Sequence, residues 1–123
     1  KLGTFESRDP YTFYGAMHVL CEKLINRFPN ADILFMTPLH RCSEDEVSKE
    51  NGLPEETNLA GYVSIIREVA EFYGLPVLDL FSTSGLQPKV DIIKETYMPD
   101  GLHPSDAGAL RIAQRLMGFL QTL

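Results

Sequence analysis

The stretch DGLHPSDAG, residues 100–108, places an acid, a histidine and a helix-start signal within nine residues. Pro99-Asp100-Gly101 has turn chemistry, and a turn brings residues three apart into contact, so Asp100 can reach the imidazole of His103. A hydrogen bond from the ring Nδ1–H to Asp100 fixes the tautomer and leaves Nε2 to take a proton from a hydroxyl. Pro104 disfavours helical backbone at His103 and suits a first helical position, so His103 is expected to cap the last helix, with Asp106 in its first turn. The positive end of that helix favours neutral imidazole, whereas Asp100 favours the protonated ring that forms during base catalysis. The plainer alternative is that Asp100 orients a turn and His103 caps a helix. Asp-x-x-His is short enough to arise by chance, and spacing alone leaves both readings open.

Other side chains belong to the same end of the chain's strands. His40 and Arg41 follow the first strand, and either can contact a polar or anionic group of a substrate; the alternative is a solvated loop end. Tyr97 and Met98 precede Asp100 and are expected to line an acyl or sugar pocket or to pack against the last helix. A metal site from Asp100, His103, Asp106 and His40 has no diagnostic spacing, so neither metal nor cofactor is expected. His18 sits at the edge of an apolar stripe and reads as a boundary residue. Cys21 reads as a small core residue and Cys42 as a free loop thiol, with a disulfide between them the lesser alternative.

The elements that must position these residues alternate in type. Asp9-Pro10 is expected to start a helix whose face carries Tyr14, Met17, Cys21, Leu24, Ile25 and Phe28. Ile33–Met36 reads as a strand buried on both faces, as in a parallel sheet. His40–Thr57 has many charges and no period, and reads as a long solvated loop. Asn58 caps a second helix with Leu59, Tyr62, Ile65, Ile66, Val69 and Tyr73 inward, stopped by Gly74. Val77–Leu80 is the second strand. A loop leads to Tyr97, and a helix over about 104–120 turns Leu110, Ala113, Leu116, Met117 and Leu120 inward.

This order implies an open α/β sheet, and two strands are few for it. Ile33–Met36 is therefore expected to expose an apolar edge that pairs with a companion N-terminal segment or with another copy.

At 123 residues, with 44% hydrophobic and 23% charged residues, the composition is that of one globular domain or part of one. A net charge of −6 argues against nucleic acid, whose phosphates require clustered cations. No apolar run has the length of a bilayer span, and KLGTFESRDP lacks a signal-peptide pattern, so the sequence assigns no compartment.

The run YMPDGLHPSDAGALRIAQRL, with ADILFMTPLHR and REVAEFYGLPVLDL upstream, resembles the C-terminal block of the SGNH hydrolases, the GDSL family of lipases and esterases. The resemblance covers nearly the whole chain. It implies a three-layer α/β/α, flavodoxin-like open parallel sheet, of which two strands and three main helices are present. It also implies that Asp100 and His103 complete a Ser-His-Asp triad acting on a small ester, such as a lipid or an acetylated sugar. The family's Gly-Asp-Ser nucleophile block, its oxyanion glycine and its Gly-x-Asn block have no counterpart here, since Gly3-Thr4 is followed by Phe5. None of the seven serines, Ser7, Ser43, Ser48, Ser64, Ser82, Ser84 and Ser105, has the Gly-Asp context. The expectation is that residues 1–123 form the C-terminal part of a single hydrolase domain, inactive alone. The alternative is a binding module that keeps the scaffold without its chemistry.

Overall fold

The computed structural model describes residues 1–47, 49–50 and 53–123; Ser48 lies outside them. The chain divides into two compact units, Lys1–Phe35 with Asp45–Val77, and Met36–Glu44 with Leu78–Leu123.

The first unit is built on two helices, α1 (Phe13–Arg27) and α2 (Leu59–Phe72). Helix α1 starts three residues later than Asp9-Pro10 suggests. Asp9 instead heads a turn, accepting the Tyr11 amide on Oδ1 and the Thr12 amide on its carbonyl. Thr12 then takes the cap, with Oγ1 accepting from the Gly15 amide at 3.0 Å. Asp-Pro signals a turn as readily as a helix start, and here the turn that Asp9 heads leaves the cap to Thr12. Asn58 caps α2 as expected, and Gly74, at φ 67°, ends it while the Leu75 amide bonds back to Ala70 O.

The buried core of this unit is Met17, Cys21, Ile65 and Val69, with Phe13, Tyr14, Ile66 and Tyr73 packed against it. Val63 and Ala70 are also buried. His18 is a correction: it is fully buried rather than at a boundary. Its Nε2 donates to Phe5 O at 2.7 Å, and its Nδ1 lies 2.8 Å from the Tyr73 hydroxyl. Local periodicity cannot reveal partners 13 and 55 residues away.

The charged 40–57 segment is not wholly irregular, since β2 (Lys49–Glu50) pairs antiparallel with β3 (Leu53–Pro54). The parallel sheet is shorter than the sequence suggests: β1 is Phe35–Met36 and β4 is Val77–Leu78. Phe35 N–H donates to Pro76 O at 3.0 Å and Thr37 N–H to Leu78 O at 3.1 Å, both advancing in one direction, which is the parallel pattern. Among the described residues β1 has one neighbouring strand, and Met36 is exposed rather than buried.

In the second unit Asp79 does not extend β4. It caps a four-residue helix, α3 (Leu80–Thr83), and accepts from Ser82 N–H and from the buried Thr37 hydroxyl. A further helix, α4 (Asp91–Tyr97), occupies what was expected to be loop. Helix α5 (Asp106–Leu120) is capped by Ser105, whose Oγ accepts from the Gly108 amide and donates to Thr96 O. The expected inward face is largely open: Leu110, Met117 and Leu120 are exposed, Ala113 likewise, and Leu116 half-buried. Helix α5 meets α4 through its first turns. A Cβ at Gly108 would stand 2.5 Å from Tyr97 O, and the Arg111 guanidinium lies over the Tyr97 ring. The fold is thus α/β with a parallel pair and, among the described residues, five helices. No helix among the described residues is long and apolar enough to cross a membrane.

Candidate functional site

The Asp100–His103 turn sits between α4 and α5 in the second unit. Gly101, at φ 77°, turns the chain, and its amide bonds to the carbonyl of the buried Met98. Asp100 Oδ1 accepts the amides of Leu102 at 2.8 Å and His103 at 2.7 Å, and Oδ2 lies 2.6 Å from His103 Nδ1. Carboxylate and ring are therefore held together, as the three-residue spacing requires.

The His103 amide, the His103 ring and the Leu102 amide together hold the Asp100 carboxyl far below the usual carboxylate range. An ionised carboxylate only accepts, so Nδ1 carries the proton toward Asp100. In the neutral ring Nε2 then carries the lone pair. It has no hydrogen-bond partner among the described residues, and the His103 side chain is 74% exposed. The cap expectation is corrected: His103 stands two residues before the cap, because the Ser105 hydroxyl reaches the Gly108 amide.

The loop after β1 is fastened to this turn. Cys42 N–H donates to Gly101 O at 2.9 Å, and a Cβ on Gly101 would stand 2.7 Å from Cys42 Sγ. Cys42 and Cys21 are both free thiols. Gly101→Ala meets both a left-handed backbone and this contact, and is expected to destabilise the protein by about 1–3 kcal/mol, read as a lowered midpoint in urea denaturation.

In the same loop His40 stacks on Phe81, ring centroids 3.8 Å apart, and its Nδ1 lies 2.6 Å from Glu44 Oε2. Glu44 is buried, which sequence reasoning missed by reading its segment as solvated. Gln87 and Lys89 reach its other oxygen at 3.0 and 3.2 Å, and the Arg41 amide reaches Oε2 at 3.3 Å. Burial pushes the Glu44 carboxyl upward, but the hydrogen bonds from Gln87, His40, Lys89 and the Arg41 amide outweigh it and bring it to about 2. The His40–Glu44 spacing of four is the one local signal that pointed to this pair.

Tyr97 is half-buried, with its hydroxyl accepting from Arg111, and Met98 is fully buried. Asp100, His103, Asp106 and His40 form no metal-type group of three among the described residues. A shallow hollow of about 360 Å³ is lined by Asp91, Lys94, Glu95 and Pro99, and the imidazole of His103 stands outside it.

The model of the GDSL-like lipase/acylhydrolase family matches residues 4–111. The chain belongs to that family. A crystal structure 36% identical to this GDSL-like chain has a TM-score of 0.84, the match covering 99% of this chain and 57% of the other. A Lactobacillus plantarum protein is 29% identical at a TM-score of 0.85, covering 98% of this chain and 59% of its own. A possible lipase from Chitinophaga pinensis, 19% identical, covers 98% of this chain and 66% of its own at a TM-score of 0.70, a likeness of fold. This GDSL-like chain thus spans less than two thirds of the length of these structures. No curated protein matches it.

Proposed function

We propose that these residues are the C-terminal part of a serine esterase, in which His103 is the general base and Asp100 its orienter. The observation that carries the reading is the 2.6 Å contact between Asp100 Oδ2 and His103 Nδ1, with Nε2 unpartnered among the described residues. Membership of a lipase/acylhydrolase family supports it. His103 Nε2 takes the proton of a serine hydroxyl as the oxygen attacks the ester carbonyl, and returns it to the departing alkoxide. Asp100 stabilises the imidazolium in between. The hydroxyl and the oxyanion donors come from residues outside this sequence.

The substrate is a small ester, and the companion segment that supplies the nucleophile also covers apolar surface left open here. The exposed Met36 at the strand and Leu110, Met117 and Leu120 on α5 support that reading. In a direct test, the 123-residue chain alone is expected to leave p-nitrophenyl acetate at the background rate of an equal concentration of imidazole, whereas the full-length protein turns it over. Turnover by the chain alone would move the nucleophile into residues 1–123.

A further inference from the structure

A continuous chain of main-chain hydrogen bonds reaches Asp100 from the loop after β1. Glu44 N–H donates to Arg41 O at 3.2 Å, and Cys42 N–H, in the same peptide group as that carbonyl, donates to Gly101 O at 2.9 Å. Leu102 N–H, which shares its peptide group with Gly101 O, donates to Asp100 Oδ1 at 2.8 Å. A trans peptide group is planar, with its C=O and N–H pointing in opposite directions, so the Cys42 amide that fixes the Gly101 carbonyl also aims the Leu102 amide at the carboxylate. Hydrogen bonds linked in this way polarise one another. The other oxygen of Asp100 holds His103 Nδ1 at 2.6 Å.

The far end of the chain is anchored by a buried side chain. Glu44 Oε2 meets His40 Nδ1 at 2.6 Å and the Arg41 amide at 3.3 Å, while Oε1 meets Gln87 and Lys89. Pro88, between those two residues, presents its carbonyl to Cys42 Sγ at 3.7 Å. The 40–44 and 87–89 segments are thus fastened to each other and, through Cys42, to the buried Gly101. Resting on the esterase reading above, we infer that Glu44 is a positioning residue for the reaction: its side chain sets the loop whose main-chain hydrogen bonds hold the Gly101–Leu102 peptide, and through it the Asp100 carboxylate, against His103 Nδ1. Glu44 acts only through Asp100 and the ring, and a small displacement of a catalytic base costs rate out of proportion to its size.

The test uses the full-length protein and p-nitrophenyl acetate. Glu44→Gln keeps the shape of the side chain but puts a donor NH₂ group where one acceptor oxygen stood. Its kcat is expected to fall about 10- to 100-fold with KM nearly unchanged, at a pH where circular dichroism shows the variant folded. In a His103→Ala background the same substitution is expected to have no further effect, because no base is left to position, whereas a general loss of folded enzyme would lower both rates by the same factor. Wild-type kcat in Glu44→Gln, or an equal loss in both backgrounds, would overturn the inference. Amide hydrogen exchange reads the chain without turnover. Exchange at Leu102 is expected to quicken in Glu44→Gln while that at Leu75, bonded to Ala70 O in the first unit, holds. Should Glu44→Gln fail to fold, Gln87→Leu, which removes one donor from the carboxylate, is expected to quicken Leu102 exchange about 2- to 10-fold. Unchanged Leu102 exchange in the folded variant would contradict the inference. If wild-type protein cleaves no ester while Leu102 still responds, the esterase reading falls and the hydrogen-bond chain stands.

Discussion

Alanine at position 103 is expected to lower kcat for p-nitrophenyl acetate in the full-length protein by about 10⁴- to 10⁶-fold, the range seen when a triad base is removed. The size follows from the position of the ring. Asp100 is acceptor-only and holds Nδ1–H, so Nε2 is the group that can remove a proton. Asp100→Asn separates orientation from packing. The asparagine oxygen can still take the Leu102 and His103 amides that Oδ1 takes now, while its NH₂ group faces Nδ1 and forces the proton to Nε2. A ring in that tautomer cannot accept, and kcat is expected to fall by up to about 10⁴-fold with the turn intact. Steady-state rates and circular dichroism of the two variants check both statements. Because Asp100 is held so far below the usual range, the acid limb of the wild-type pH–rate profile does not arise from that carboxyl.

Removing Glu44 carries the second large effect, and it falls on stability. Glu44→Ala removes the buried acceptor shared by His40, Gln87, Lys89 and the Arg41 amide. The expected cost is about 3–5 kcal/mol, that of breaking a buried ion pair by deleting one partner. The pH dependence has a definite sign. The folded carboxyl is at about 2 against an ordinary value of 4.5, so the native state favours its ionised form. That contribution is full above pH 4.5, declines as the pH falls, and is gone below about 2; its size is on the order of 3 kcal/mol. Urea denaturation at pH 6, 4 and 2.5 should show wild-type protein losing stability over this window, with a flatter dependence in Glu44→Gln. Equal slopes in the two proteins would remove Glu44 from its proposed place.

The parts of the fold legible in the sequence are those fixed by near neighbours. Asn58 and Gly74 bound α2 because a side-chain oxygen and a left-handed glycine act within a few residues. Asp100 and His103 meet because a turn joins them. Features set by distant partners were not legible. His18 reads as a boundary residue until Phe5 O and the Tyr73 hydroxyl close on its two nitrogens. Glu44 reads as one more acid in SEDE until Gln87 and Lys89 arrive from 43 and 45 positions away. The caps at Thr12, Asp79 and Ser105 replace the expected helix starts at Asp9 and His103 and an expected strand residue, because side-chain hydrogen bonds to amides three residues on set them. The apolar stripe of α5 shows a further limit. Periodicity identified Leu110, Met117 and Leu120 as one set, but what covers that set is a tertiary matter.

In the proposed mechanism, His103 oriented by Asp100 activates a hydroxyl supplied from outside these 123 residues. Fluorophosphonate labelling of the full-length protein, with the labelled peptide mapped by mass spectrometry, addresses both halves at once. The proposed mechanism requires one labelled serine outside residues 1–123, with labelling lost in His103→Ala. A label on one of the seven serines of this sequence, or labelling undiminished in His103→Ala, would contradict it.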